Sequence, residues 1–227
     1  MYEFDWSSIR PGLPFLWKGM KVTLYITLVA MAAGIALGTV LAILRMAKNR
    51  ALAWLSAAYV NTFRSIPLVM VILWFFLLLP AVIERIFSIS RQEDTRLTTA
   101  LVTFSLFQAA YYAEIIRAGI QSVKSGQMGA ALALGMTNGQ AMRLVVLPQA
   151  FRNMAPLLLT QTIILFQDSS LVYVASLADF FGVAGIIGTR DGRQVELYLF
   201  AGAVYFVACF ILSSLVKRWQ NRLKGHA

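Results

Sequence analysis

The sequence predicts an all-α, polytopic membrane protein with five transmembrane helices and a helical insert on the cytoplasmic side. Hydrophobic residues make up 59% of the 227 residues and charged residues only 13%, against about 25% charged in soluble domains. A span needs about 20 mainly apolar residues, because the hydrocarbon of a bilayer is roughly 30 Å thick. Five segments meet that length, and basic residues cluster in alternate connections between them.

The five apolar segments are interpreted as transmembrane helices in chain order. Their predicted bounds are residues 21–44, 51–83, 97–116, 154–175 and 197–216. The first segment is too long for a secretion signal and lacks its cleavage site, so we expect it to remain in the mature protein. Ahead of it, Trp6 and Trp17 predict an interfacial segment, since tryptophan concentrates at headgroup level. Residues 1–227 are expected to form one transmembrane domain without an internal repeat.

Charge in the connections predicts the orientation of the helices. The basic connections, which contain no acid, hold Arg45, Lys48, Arg50, Arg117, Lys124, Arg143, Arg152, Lys217, Arg218, Arg222 and Lys224. The other two connections are nearly neutral and hold Glu84, Arg85, Arg91, Glu93, Asp94, Arg96, Asp179, Arg190, Asp191, Arg193 and Glu196. The positive-inside rule then places the N-terminus outside and the C-terminus in the cytoplasm. The longest cytoplasmic connection, about residues 117–152, is called the insert.

Few residues suited to catalysis or metal binding are present. The one cysteine, Cys209, lies in an apolar run, and the one histidine, His226, is next to the C-terminus, so no cluster predicts a metal site. No glycine-rich loop with Lys and Ser or Thr could cradle ATP phosphates. A membrane hydrolase built on Ser169 and Ser170 lacks a histidine base in the predicted spans. We expect no catalysis, no metal and no cofactor in this chain, and the net charge of +10 reports orientation and not nucleic-acid binding.

The stretch "GAALALGMTNGQAMRLVVLP" in the insert has the signals of two short helices. Ser125 is a candidate N-cap for the first helix, and Gly135 supplies the left-handed residue that ends it. Thr137 and Gln140 have capping-box spacing for the second, which should bend or stop near Pro148. The first helix has a smooth apolar face, which predicts either a docking surface or packing on the protein's own spans.

This stretch resembles the loop shared by permease subunits of ATP-binding-cassette importers. The loop's pattern is Glu-Ala-Ala, three residues, Gly, nine residues, then Ile, any residue, Leu, Pro. The matching positions are Ala130, Ala131, Gly135, Leu147 and Pro148, with Val145 in place of the isoleucine. Gly129 stands where the family has glutamate, so a charge-assisted contact made by that glutamate is absent here.

Other stretches, "NTFRSIPLVMV", "AAYYAEIIRAGIQSV", "LPQAFRNMAPLLLTQ" and "FQDSSLVYV", are similar to the polar amino-acid branch of this family, and to its glutamate/aspartate importers. The resemblance implies an inner-membrane permease subunit with a second, homologous or identical permease, two ATPase subunits that bind ATP and Mg, and an extracytoplasmic amino-acid-binding protein. It also implies that the ATPase docks on Gly129, Ala130, Ala131, Leu132, Gly135, Leu147 and Pro148.

Two ionisable residues lie deep inside predicted spans. Arg64 and Asp168 are each about 13 or 14 residues from the cytoplasmic start of their helices, which is roughly 20 Å. A charge in hydrocarbon is costly, so such residues normally face a wet cavity and mark a transport path. Gln161 and Gln167 share helical spacing with Asp168, and this polar stripe is expected to line the path. Pro67 predicts a break in the helix that carries Arg64.

These positions predict how an amino acid is bound. We expect Arg64 to bind a substrate carboxylate in bidentate fashion, beside Ser65, and Asp168 to receive the substrate ammonium. The alternative is that Asp168 pairs directly with Arg64 and holds two helices together. Glu114 and Arg117, one turn apart at the end of the third span, predict a structural ion pair worth about 0.3 to 0.5 kcal/mol. Transmission of ATPase motion is the other role open to this pair.

The preferred function is therefore a transport subunit that uses ATP hydrolysed by another chain. A secondary amino-acid transporter or channel without an ATPase is the alternative. Five spans without an inverted repeat disfavour it.

Overall fold

A computed structural model describes residues 3–87 and 95–224. Every regular element in these ranges is helical, which confirms the all-α prediction for the described residues. The helices are α1 Ile9–Arg45, α2 Arg50–Ser65, α3 Leu68–Phe87, α4 Arg96–Gln121, α5 Ser125–Ala133, α6 Asn138–Ala141, α7 Leu147–Asp168, α8 Phe180–Asp191 and α9 Gln194–Lys224. The predicted loop charges Arg91, Glu93 and Asp94, and the tail residue His226, lie outside the described residues.

Five spans are present if one of them is a bent pair. By length and apolar character, α1, α4, α9 and the helical run Asn138–Ala175 around α7 could each cross a membrane. Helices α2 and α3 pass only together, bent by 105°. The predicted helix over residues 51–83 is therefore two helices. Pro67 has no N–H to continue α2, and Ile66 before it is extended, with φ −109° and ψ 134°, as the residue before a proline prefers.

Helix α4 is the centre of the bundle, and α1 packs closely along it at two glycines. A Cβ at Gly38 would lie 2.9 Å from the carbonyl oxygen of Ala109, and one at Gly34 would lie 3.0 Å from the ring of Tyr112. Only glycine permits this approach of two backbones. Phe104 and Tyr112 are fully buried as a result.

Helix α7 runs antiparallel to α4 on another side. A Cβ at Gly119 would lie 2.6 Å from the Cβ of Met154, and the hydroxyl groups of Tyr112 and Thr162 are 2.9 Å apart. These contacts hold α7 against α4 at two levels. Residues on the facing sides of both helices are therefore fixed relative to one another.

Helices α1 and α8 differ from the predictions. Helix α1 begins at Ile9, so most of the predicted interfacial segment is the first part of the spanning helix, with Trp6 and Trp17 about half exposed. Helix α8 was not predicted, because twelve glycine-containing residues are too short for a span. Asp179 caps it, and Gly192, with φ +67°, ends it.

The first helix of the insert ends as predicted. Gly135 has φ +83°, the N–H of Met136 donates to the carbonyl of Ala131 at 3.2 Å, and the N–H of Gly135 donates to Leu132 at 3.0 Å. This pair of bonds is a Schellman motif. The predicted start is wrong by one residue, since Lys124 is the N-cap and makes no side-chain cap bond.

The second helix of the insert starts with the predicted capping box but does not stop at the proline. Thr137 and Gln140 exchange both bonds of the box. Helix α6 then passes through a π-helical turn, Met142–Val146, directly into α7. Pro148 lies in the first turn of α7, directly after the π-helical turn, so the irregular hydrogen bonding of the helix falls next to the residue that has no N–H to donate.

Candidate functional site

Arg64 and Asp168 line the same cavity, of about 360 Å³. The break between α2 and α3 forms one wall with Ser65 and Pro67, α4 supplies aromatic rings, and α7 supplies Gln161. Four of the five predicted substrate contacts, all except Gln167, thus meet in one place. We call this space the Arg64 cavity.

The helix break explains why the cavity is polar on the α2 side. Arg64 lies in the last turn of α2, where a cation interacts favourably with the helix dipole. Because Pro67 has no N–H, the carbonyl of Phe63 lacks the amide that would follow it in a continuous helix. The Ser65 hydroxyl donates to the carbonyl of Asn61 at 2.7 Å, so toward a ligand it can only accept.

Arg64 and Asp168 are not bonded to each other. The guanidinium carbon of Arg64 lies 5.6 Å from the centre of the Tyr111 ring, and no ion pair or hydrogen bond with a described residue engages it. The carboxylate of Asp168 is partly buried and has no hydrogen-bond partner in the described part of the chain. The structure therefore holds an unpaired cation and an unpaired anion in one cavity, and not the direct pair considered as the alternative.

Gln161 lines the cavity, and the N–H side of its amide is already hydrogen-bonded within the protein. Its Nε2 donates to Oε1 of Gln108 on α4 at 2.9 Å, which leaves its own carbonyl oxygen for a ligand. Gln108 is fully buried, and its Nε2 has no partner among the described residues. The sequence interpretation missed Gln108, although an amide in the middle of an apolar span was a signal that could have found it.

Gln167 does not reach the cavity. At about 100° per residue, positions 161 and 168 are separated by about 20° around α7, whereas position 167 lies about 120° away from 161. Its side chain is exposed on the single chain and interacts with the thiol of Cys209 on α9. The prediction that Gln167 shares this polar stripe is therefore wrong.

Glu114 belongs to a cluster larger than the predicted pair. It accepts bonds from Arg117 on its own helix and from Nη1 of Arg45 on α1 at 2.8 Å. The side chains of Glu114 and Arg45 are only 22% and 21% exposed, so the cluster is less solvated than a surface pair. Arg45 could not be found from spacing, because it lies on another helix.

All the predicted docking residues except Ala131 are exposed on the insert. Ala131 is 3% exposed and packs inward, whereas Leu132 and Leu134 are 40% and 81% exposed. Nothing lies within 4 Å of a Cβ built on Gly129, and Leu147 is 39% exposed. In this helix Ala131 packs on the protein and the other predicted docking residues face outward, and docking of the ATPase stays a prediction.

Comparison with known proteins places this architecture in a family. Residues 34–225 match the sequence profile described as "Binding-protein-dependent transport system inner membrane component". The chain belongs to this family. It is a multi-pass inner-membrane permease, and the predicted fold class, resemblance and location are confirmed.

Two relatives and one solved structure cover nearly the whole permease. The glutamate/aspartate import permease protein GltK of Escherichia coli O157:H7 is 59% identical over 222 residues, 98% of this chain and 99% of that protein. The arginine transport system permease protein ArtQ of Bacillus subtilis (strain 168) is 34% identical over 224 residues, 99% of both chains. A chain of an amino acid ABC transporter crystallised with histidines is 31% identical, with a TM-score of 0.86 over 97% of this chain and 100% of that chain. The fold is thus that of an ATP-binding-cassette importer permease.

Proposed function

We propose that this permease carries L-glutamate and L-aspartate through the Arg64 cavity in an importer driven by ATP. The observation that carries the proposal is the unpaired Arg64 and Asp168 in one cavity. An acidic amino acid offers a carboxylate to the cation and an ammonium to the anion. The 59% identity to a glutamate/aspartate import permease, against 34% to an arginine permease, supports the acidic substrate.

The polar groups of the cavity divide into two halves. Arg64 is a donor only and suits a carboxylate. Asp168, the free carbonyl of Gln161 and the hydroxyl oxygen of Ser65 are acceptors, which suit the three N–H groups of an ammonium. The main-chain carboxylate and ammonium of an amino acid can satisfy both halves at once, so neither of these two charges is left buried and unpaired. The preference for an acidic side chain is supported by the identity to the glutamate/aspartate permease.

The insert is proposed to receive the force of ATP hydrolysis from partner ATPase subunits. Leu132 and Leu134 offer them an apolar contact, and α7 runs from the insert to Asp168 as one helix. Motion of the insert is therefore passed along α7 to the cavity. The proposed assembly contains two ATPases that hold ATP and Mg, a second permease subunit and an extracytoplasmic binding protein.

The substrate site is tested in proteoliposomes that contain the assembled importer. ATP-dependent uptake of labelled L-glutamate should fall by about 10-fold or more in Arg64→Gln and in Asp168→Asn, since hydrogen bonds to charged groups contribute about 1.5 to 3 kcal/mol. Arg50→Gln, at the other end of α2 and exposed, is the matched control. Assembly is checked by gel filtration. Normal uptake in both cavity variants would refute the site, and uptake without ATP would favour a secondary transporter.

The insert is tested by its position and its partner. A cysteine introduced at Gly129, where a side chain has open space, should react with an impermeant thiol reagent only from the cytoplasmic side, in a Cys209→Ser background. Leu134→Asp should reduce co-purification of the ATPase while the permease remains folded. Labelling from outside, or unchanged co-purification, would contradict the proposed docking surface.

A further inference from the structure

The guanidinium of Arg64 rests on an aromatic ring and not on an acid. Its carbon lies 5.6 Å from the centre of the Tyr111 ring, and Tyr111 itself lines the Arg64 cavity. A cation near the face of an aromatic ring is attracted by the ring quadrupole. Among residues 3–87 and 95–224, no side chain forms a hydrogen bond or an ion pair with Arg64, and Glu114 acts on it only electrostatically, without a bond.

An aromatic ring contacts an arginine in a different geometry from the one in which a carboxylate binds it. The five N–H groups of a guanidinium lie in its plane in a rigid fork, and a carboxylate partner would occupy that fork. The ring contact uses none of them in a hydrogen bond. A substrate carboxylate can therefore bind Arg64 without first displacing an anion that belongs to the protein.

The ring of Tyr111 is itself held by a row of aromatic contacts that crosses from α4 to α2. Tyr111 and Phe107 have ring centres 5.3 Å apart, Phe107 meets Phe63 edge-on at 6.4 Å, and Phe63 lies 4.6 Å from Tyr59. The Tyr59 hydroxyl donates to a backbone carbonyl of α4 at 2.8 Å. Because Phe63 precedes Arg64 in the chain, the same row fixes the ring and the backbone that carries the cation.

The acid nearest to Tyr111 along α4 is already engaged. Glu114, one turn further on, is bonded by both Arg45 and Arg117. Glu114 attracts Arg64 electrostatically, but its hydrogen bonds go to the other two arginines, so the ring is the group in direct contact with the guanidinium of Arg64.

We propose that Tyr111 is a positioning residue for substrate binding: its ring holds the guanidinium of Arg64 in the cavity with all N–H groups free, and thereby sets the affinity for the substrate carboxylate. The inference rests on the proposed function of the Arg64 cavity. It adds a residue that controls substrate affinity through its contact with Arg64 and not through a bond to the charged groups of the substrate.

The test measures equilibrium binding of labelled L-glutamate to the purified assembled importer without its binding protein. Tyr111→Phe keeps the aromatic face and should bind within about twofold of the unmodified complex. Tyr111→Leu keeps apolar bulk but removes the face, and the Kd should rise by about two- to fivefold. Tyr25→Leu is the matched control, because Tyr25 is a half-exposed tyrosine of α1 away from the cavity; it should leave the Kd unchanged.

An Arg64→Gln background separates positioning from general packing. If Tyr111 acts through Arg64, Tyr111→Leu causes no further loss in that background. An equal loss in both backgrounds would overturn the inference, as would equal effects of the Phe and Leu variants. If the Leu variant fails to assemble, Tyr111→Met, which is also without an aromatic face, provides the same comparison.

The two proposals fail in distinguishable ways. If Arg64→Gln binds glutamate normally, the proposed site is wrong and the role of Tyr111 falls with it. If Arg64→Gln weakens binding while Tyr111→Leu does not, the site stands and only the positioning role is overturned.

Discussion

Two aspartates, Asp179 and Asp168, show how burial can serve either structure or transport. Asp179 is completely buried and its oxygens are occupied: Oδ1 accepts from the N–H of Gly182 at 2.8 Å and Oδ2 from the N–H of Phe181 at 3.2 Å. Asp168 is partly buried and has no such partner among the described residues. A buried carboxylate that is fully hydrogen-bonded stabilises a fold, whereas an unbonded one in a cavity is available to a ligand.

The surroundings of the two aspartates differ in the same way. Asp179 caps α8 and joins it to α1, where Thr23 lies within hydrogen-bond distance at 3.4 Å and Gly19 lets the backbones touch. Asp168 ends α7 beside a cavity whose other wall is a broken helix. The comparison predicts that changes near Asp168 affect transport and that changes near Asp179 affect stability.

The largest expected effect comes from exchanging each carboxylate for an amide. Asp168→Asn should reduce glutamate uptake by about 10-fold or more and leave the Tm nearly unchanged, because the lost interaction is with the substrate. Asp179→Asn should keep its uptake but lower the Tm, because an amide has one acceptor oxygen where the carboxylate uses two, for Gly182 and Phe181. Uptake by proteoliposomes and thermal unfolding of the same preparations measure both effects. The comparison fails if the two variants behave alike.

Removing the Thr23 hydroxyl, which lies beside the Asp179 cap, should lower the free energy of unfolding and leave transport unchanged. The Thr23 hydroxyl accepts from the N–H of Phe180 at 3.1 Å, and Thr23→Val leaves that buried donor without an acceptor, at a cost of about 1 to 3 kcal/mol. We expect a Tm lower by several degrees and normal uptake per assembled complex. Reduced uptake at an unchanged Tm would show that this junction takes part in transport.

A smaller effect is expected from pH. Asp179 lies between the spans that end at Ala175 and begin at Gln194, and burial raises its pKa to about 6 from the ordinary 3.8. Because the folded state holds this proton more tightly than the unfolded state, stability should fall as pH rises from about 4 to about 6 and then level off. Asp179→Asn should show less of this fall. Identical Tm profiles for the two proteins between these pH values would contradict the prediction.

The smallest effect is expected at a third aspartate. Asp191, at the end of α8, pairs with Arg190 at 2.6 Å, and this hydrogen bond lowers the pKa of the carboxyl below its usual value. The pair is on the surface, where ion pairs add little. Asp191→Asn should change neither uptake nor Tm beyond experimental error. A clear loss of either would mean that this end of α8 is covered by a partner.

The fold was largely predictable because its signals are local. Apolar runs of about 20 residues predict the number of transmembrane helices. The glycine and the capping box of the insert predict where its short helices end and begin. Helix α8 was not predicted because it is shorter than the length required of a transmembrane span. The two-helix form of residues 51–83 follows from Pro67, whose effect the sequence indicates but whose 105° bend depends on packing.

The site was predictable only in part because its contacts join distant segments. Depth in a span pointed to Arg64 and Asp168, which meet in one cavity. The roles of three residues depend on contacts with other helices, and the periodicity of a single helix does not predict such contacts. These residues are Gln108, Tyr111 and Arg45.

The bend at Pro67 has a consequence for how the substrate specificity of such permeases evolves. One wall of the cavity is the backbone break itself, Arg64 to Leu68, which follows from the missing N–H of Pro67. The wall made by this kink can be inherited unchanged while a few side chains opposite it are exchanged. A single scaffold can then serve cargoes of different charge.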